Sequence, residues 1–471
     1  MKQKIKQLLC IWVILCSLQS FAQIEPSVVL SQYDFLKWVK QYHPVAKQAN
    51  LLINNANANA LQASGGFDPK LFYGLRSKYY NETNYYNVQQ AGVTLPTWYG
   101  VEGKIGYEKN TGQFLDPENK TPANGLLYAQ VSLPILQGLV IDDRRATLAK
   151  AKLFQKMSEF EKATLLNELL FNAGKSYWNW QLAYRNRQIL QNAVSIAQQR
   201  FEAVKRTVML GDRSPIDTVE ASIQLQERIV SYQQADMEYA TQSYYLSNFL
   251  WLENNQPVEI AEQTIPELDT DLLKDFDRFG YIDTLQAISL VKIHPELRTY
   301  QFKLQQFDID RKLKQDKLKP AINVHYNPLF SADNFNPGNL SNYKWGVSVG
   351  FPLFLRKERG ELRMAKIKME ATQLENNNKQ NELVNKSKAV INQFKTYQSQ
   401  YGLYEETVKN YQRLWEAEKQ LFDLGESSLF LINSREMSYI QSQLKLNELL
   451  AKGKKSSLEV QYTVGNLYSN Y

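Results

Sequence analysis

The sequence predicts a mixed architecture: strands of a membrane β-barrel continued by a long α-helical barrel, in a chain built from an internal duplication. Three observations predict it. Landmarks recur in the same order in the two halves. Apolar stripes at helical spacing run too long for a globular domain. Short segments alternate apolar and polar side chains in a chain with no other means of entering a membrane.

The repeat comes first because it sets the frame for every later element. His43-Pro44 and His294-Pro295 lie 251 residues apart, as do Pro69 and Pro320. A helical stretch joins each pair, Val45 to Ala63 and Glu296 to Leu318. Val131-Ser132-Leu133-Pro134-Ile135-Leu136 matches Val349-Gly350-Phe351-Pro352-Leu353-Phe354. Ala149-Lys150-Ala151-Lys152 matches Ala365-Lys366-Ile367-Lys368, and Leu210-Gly211-Asp212-Arg213-Ser214 matches Leu424-Gly425-Glu426-Ser427-Ser428. The expected organisation is a leader over 1–22, a first copy over 23–252, a connector over 253–280 and a second copy over 281–471. Each copy reads helix, strands, very long helix, tight turn, long helix.

The long helices follow from their stripes. Ala146, Ala149, Leu153, Met157, Phe160, Ala163, Leu166, Leu170, Ala173, Tyr177, Trp180 and Tyr184 recur every three or four residues. Val390, Phe394, Tyr397, Tyr401, Tyr404, Val408, Tyr411, Trp415 and Phe422 do the same in the second copy. Such stripes imply nearly parallel, coiled-coil-like packing. The first helix is expected from Ile135 to Leu210, on the order of 110 Å at 1.5 Å per residue. Gly211 and Gly425 follow the last apolar residues, where glycine can take a left-handed cap. Pro215 suits the first turn of the returning helix, with Ser214 as its cap. The hairpin tips are expected at 209–217 and 423–431.

Strand signals lie over 70–134 and 321–352. Leu71, Tyr73 and Leu75 oppose Lys70, Gly74 and Arg76. Leu127, Ala129, Val131 and Leu133 oppose Tyr128, Gln130 and Ser132. Ile322, Val324 and Tyr326 oppose Asn323 and His325; Trp345, Val347, Val349 and Phe351 oppose Lys344, Gly346, Ser348 and Gly350. A lipid-facing apolar side and a wet lumen explain this alternation. The first copy has two more alternating segments, around Ala91-Val93-Leu95 and Tyr99-Val101-Ile105-Tyr107, which either extend the barrel or form a hairpin beyond the membrane. Six strands cannot close a barrel alone, since single-chain barrels begin at about eight, so several copies must share one.

Lys2, Lys4 and Lys6, an apolar core from Leu8 to Leu18 and Ser20-Phe21-Ala22 read as a secretory leader cleaved before Gln23. Both cysteines, Cys10 and Cys16, lie inside it, so the mature chain is expected to lack disulfides, thiolate metal sites and cysteine nucleophiles. Val13-Ile14-Leu15-Cys16 is a poor match to a lipid-attachment box. The full chain carries 55 basic and 48 acidic residues, a balance that argues against nucleic acid as a partner. No apolar run is long enough for a membrane helix, which leaves a closed barrel as the route into lipid.

An enzyme is disfavoured. There are three histidines, two of them before proline at matching repeat positions, and no phosphate loop, HExxH or nucleophile elbow. No cofactor, metal or catalytic residue is expected. Asp142-Asp143-Arg144-Arg145 reads as the start of a long helix, where acids suit the macrodipole. A periplasmic coiled-coil scaffold is the stronger competitor, but it does not call for lipid-facing alternation.

On the duplicated helix–Pro–strand opening, the strand-Pro-apolar junction and the Gly-x-x-Ser tips, residues 28–470 resemble the TolC-like outer membrane factor family. The resemblance implies a homotrimer with a barrel in outer-membrane lipid and a helical tunnel across the periplasm. It implies a passive duct for efflux or type I secretion, whose tips dock a periplasmic adaptor and an inner-membrane transporter. The docking tips correspond to Gly211, Arg213, Ser214, Gly425, Ser427 and Ser428. In the family, acidic residues six and nine positions after the second-copy glycine ring the constriction. Here those positions are Leu431 and Ser434, and the equivalent first-copy positions are Asp217 and Glu220. The acidic ring is therefore missing where the family has it; Asp217 and Glu220 read equally as gate residues or as favourable charges near a helix N-terminus, and the gate is expected among these four residues.

Overall fold

A computed structural model describes residues 28–272, 282–333, 335–338 and 340–471. The expected leader, with Cys10 and Cys16, lies outside the described residues, as does the end of the connector from 273 on.

The chain opens with β1 (Val28–Leu30), α1 (Gln32–Tyr42) and α2 (Pro44–Ser64). Four strands follow: β2 (Lys70–Tyr80), β3 (Thr83–Pro96), β4 (Glu102–Thr111) and β5 (Leu126–Pro134). Then come the long helix α3 (Asp143–Met209) and its return α4 (Pro215–Ser247). After β6 (Thr264–Pro266), the order recurs as α5 (Thr284–Val291), α6 (Pro295–Asp316), β7 (Ala321–Ser331), β8 (Tyr343–Gly350), α7 (Arg356–Asp423) and α8 (Leu429–Thr463).

His43 and His294 mark the starts of α2 and α6 for one physical reason. Each is the N-cap, with Pro at the first helical position, and each Nδ1 accepts the N–H two residues on, from Val45 and Glu296, at 3.2 Å. Proline needs no N–H partner there, and the imidazole satisfies the next free donor.

The long first-copy helix starts later than expected, at Asp143 rather than Ile135. Residues 135–142 form a tied loop instead. Gly138 sits at φ +84°, and its N–H donates to Asp316 Oδ2 at the end of α6, 2.6 Å away. Arg145 donates to the Leu139 carbonyl at 3.0 Å, and the Asp142 side chain caps the helix by accepting the Arg145 N–H at 2.8 Å. The helix is then 67 residues long, about 100 Å.

Helix α3 is the centre of the chain. It packs against α2, α4, α6 and α8, while α7 packs against α5, α6 and α8. The main core lies midway along α3. Leu166, Leu170, Ala173, Tyr177 and Trp180 close on Phe35, Leu36 and Val39 of α1, Leu246 of α4 and Leu458 of α8. The Tyr177 hydroxyl donates to the Leu30 carbonyl at 2.8 Å, fastening β1 to this core. Strand β1 pairs in parallel with β6 of the connector.

The six longer strands form one antiparallel sheet in the order β2-β3-β4-β5-β7-β8. The two extra first-copy segments therefore lie inside the sheet, as β3 and β4. Tyr99 and Val101 precede β4 rather than lying in it.

Candidate functional site

The register sorts the sheet into two chemically distinct faces. Residues opposed in an antiparallel ladder point to the same side. Leu71, Val93, Ile105 and Ala129 are opposed in sequence across four strands. Val131, Tyr326 and Trp345 form a second row, and Leu133, Val324 and Val347 a third. This apolar face is uncovered: Leu71 is 84% exposed, and Tyr73, Ile105, Trp345, Val347 and Val349 are also exposed.

The other face carries Lys70, Thr94, Lys104 and Gln130 in one row, with the Asn327–Lys344 pair continuing it. Beside it lie Phe72, Gly92, Gly106 and Tyr128. Phe72 lies over Gly92 and Tyr128 over Gly106, where an added Cβ would come within 2.7 and 2.6 Å of the rings. Lys104 Nζ sits over both rings, 4.3 and 5.7 Å from their centres. The sheet curls toward this face. Lys344 on β8 reaches Glu108 on β4 at 3.6 Å, although strands three steps apart lie roughly 14 Å apart on a flat sheet.

The second candidate region is the pair of hairpin tips. Gly211 and Gly425 adopt φ +84° and +79°, with open space around each. Ser428 caps α8 by accepting the Leu431 N–H at 3.2 Å. Ser214 occupies the equivalent N-cap of α4 but its side chain makes no capping bond, so its expected role is met in position only. Ser427 instead donates its hydroxyl to the buried Glu418 on α7. Arg213 lies 4.4 Å over the Phe422 ring and 3.8 Å from Asp217. Asp217 and Glu220 are half-buried, as is Leu431, while Ser434 is exposed. The tips share a small core: Val204 and Ala221 of the first hairpin pack with Leu429 and Ile432 of the second.

Behind the tips lies a charged cluster that the sequence did not disclose. Glu436 of α8 is 2% exposed and accepts from Arg200 of α3. Arg200 also donates to Asn433 Oδ1 at 2.7 Å, and Arg228 of α4 comes within 3.8 Å of Glu436. Burial pulls the Arg228 guanidinium below its ordinary value, and Glu436 opposes the shift. Removing one partner of such a buried set leaves uncompensated charge, which typically costs 3–5 kcal/mol. The signal was absent because the partners come from hairpins more than 200 residues apart.

The third histidine, His325, lies on the polar sheet face with Nε2 3.3 Å from Ser348 Oγ. All three histidines are thus engaged by caps or the sheet. No helix among the described residues is long and apolar enough to cross a membrane.

An uncovered apolar sheet face and a polar inner face, joined to helices of about 100 Å, correspond to a known group of structures. The fold is that of the outer membrane efflux channels. The Campylobacter jejuni CmeC outer membrane channel matches with a TM-score of 0.65 at 15% identity, over 93% of this chain and 86% of that one. The outer membrane protein VceC of Vibrio cholerae matches at 0.63 and 12% identity, over 92% and 96%. The open-state MtrE outer membrane channel of Neisseria gonorrhoeae matches at 0.66 and 11% identity, over 93% and 89%. Residues 289–466 match the family of the outer membrane efflux protein. The resemblance first read from the duplicated motifs is therefore borne out, by family over the second copy and by fold across the chain. No curated protein sequence matches it.

Proposed function

We propose that this chain is one protomer of a trimeric outer-membrane channel-tunnel, a passive duct for efflux or type I secretion. Cargo reaches it from an inner-membrane transporter through a periplasmic adaptor docked at the hairpin tips, around Gly211, Arg213, Ser214, Gly425, Ser427 and Ser428. The gate lies among Asp217, Glu220, Leu431 and Ser434.

One observation carries the reading: both tiers of the molecule end in unlike free edges. The sheet runs from β2 of the first copy to β8 of the second. The helices follow the same course, α4 against α3, α3 against α8, α8 against α7. A first-copy edge that meets the neighbour's second-copy edge is a head-to-tail contact, and such contacts close into rings. Six strands alternate in direction, so β8 meets the next β2 antiparallel, as its own neighbours do. In lipid those edges need partners, because unsatisfied backbone groups there cost several kcal/mol each. Three copies give a barrel of eighteen strands, a size that leaves an aqueous lumen.

The flank of α4 supports the same closure. Ile216, Ile223, Val230, Met237 and Tyr244 recur every seven residues, and all five are exposed. That spacing is the seam of a coiled coil lacking its partner, and the neighbour's α7 supplies one. The test is a cysteine scan pairing Tyr73 or Leu75 with Trp345, Val347 or Val349. Oxidation of outer-membrane preparations is expected to give a covalent ladder ending at the trimer. A chain recovered in the soluble periplasmic fraction without cross-links would support the scaffold reading instead.

A further inference from the structure

The six strands of the sheet carry eight charged side chains, counting Lys and Arg with Asp and Glu: Lys70, Arg76, Lys78, Glu102, Lys104, Glu108, Lys109 and Lys344. By register, all but Lys109 lie on the polar face. That face therefore holds five basic and two acidic groups, a net of +3 for each copy. Both carboxylates already have partners, Glu102 with Arg144 at 3.0 Å and Glu108 with Lys344 at 3.6 Å. Among the described residues, Lys70, Arg76, Lys78 and Lys104 have no carboxylate within ion-pair distance.

We propose that this wall attracts anions and makes the barrel end of the channel favour anionic cargo, with Lys104 and Lys70 at its centre. The inference rests on the channel reading. Lys104 is held in place by the rings of Phe72 and Tyr128, and the two glycines leave room for those rings. Its charge is thus presented from a fixed position at low ordering cost. Lys70 is opposite Thr94, which is opposite Lys104, so the two lysines stand two strands apart on one face. That separation is roughly 10 Å, a span suited to a polyvalent anion bridging both ammonium groups. A lumen wall lined by one sign of charge, backed by low-dielectric lipid, concentrates counter-ions. Rings of Lys or Arg are a recognised basis of anion preference in pores.

The experiment is single-channel recording of the whole protein in planar bilayers, with tripolyphosphate added to the barrel side. Tripolyphosphate is expected to reduce the unitary current, and spermine at the same concentration is not. Raising ionic strength from 0.1 to 1 M should relieve the block, since the screening length falls from about 10 to 3 Å. Lys70→Gln with Lys104→Gln should weaken it about fivefold, on the order of 1 kcal/mol for charges near water. Glu108→Gln frees Lys344 and should strengthen it, so the two variants move in opposite directions and misfolding cannot imitate both. Equal block by spermine, or a block indifferent to the double substitution, overturns the inference while leaving a conducting channel. A correctly assembled preparation with no conductance overturns the channel reading, and this inference with it.

Discussion

The two longest helices occupy the same place in their repeats and differ by one residue in length, yet their surroundings are unlike. Helix α3 buries 21 of its 67 residues, whereas α7 buries 8 of 68. Both carry apolar stripes. That of α3 is met on several sides, by α2, α4, α6 and α8. On α7, Val390 and Phe394 are buried where α5 and the end of α8 cover them, but Tyr397, Tyr401, Tyr404 and Trp415 are only half-buried. Met364, Ile367 and Leu374 stand exposed. Equivalent elements thus divide into a central helix, covered within the chain, and an edge helix left open within it, which the proposed trimer would cover with a neighbour.

The largest expected effect tests that division. Ile223→Lys combined with Val230→Lys places two charges on the exposed stripe of α4, outside the main core. Each charge would have to be desolvated against the neighbour's α7, which is strongly unfavourable without a partner. The expected outcome is a folded monomer by light scattering in mild detergent, with unchanged circular dichroism. A trimer of wild-type stability would show that this stripe does not face another copy.

The two capping histidines sharpen the comparison at the next level. Burial lowers the pKa of both, and the more deeply buried His294 falls to about 4, with Lys379 adding to the effect. The folded chain therefore binds a proton at His294 less readily than the unfolded chain does. The sign follows: its contribution is fully present above about pH 6.5 and is lost as pH falls toward 4. The shift corresponds to about 3 kcal/mol at most. Denaturant unfolding at pH 7 and pH 4.5 should reveal the loss, and His294→Asn should flatten it. His43→Asn should change the profile less. An unchanged profile in His294→Asn would assign the acid sensitivity to other groups.

The smallest effects belong to the tips, where matching positions carry different chemistry. Asp217 and Glu220 stand in the first copy where Leu431 and Ser434 stand in the second. In the proposed trimer, threefold repetition of Asp217 and Glu220 would make an acidic ring and a weak preference for cations, opposite in sign to that proposed for the barrel wall. Changing both to Asn and Gln should reduce cation selectivity, whereas Leu431→Ser should raise the leak. Recordings with neither change would place the constriction elsewhere in the tunnel. Gly211→Val with Gly425→Val strains both turns by roughly 1–3 kcal/mol each. The trimer should survive while adaptor cross-linking declines; undiminished cross-linking would remove the turns from the docking surface.

Periodicity and punctuation are local, and they make most of this architecture legible in the sequence itself. The three-to-four spacing of Leu166, Leu170, Ala173, Tyr177 and Trp180 dictated a helix. Alternation dictated the faces of the strands, and Gly211 and Gly425 marked turns that do adopt positive φ. The histidine-proline pairs announced two helix starts. What stayed hidden depends on contacts between distant segments. The start of α3 at Asp143 rests on Gly138 meeting Asp316, 178 residues away. The Arg200–Glu436–Arg228 cluster needs three helices side by side. The inclusion of β3 and β4 in a single sheet, and hence the count of strands and the charge of its inner face, is a matter of register. Hydrogen-bond pairing between strands leaves no trace in the order of residues along any one of them, so only the tertiary structure decided it.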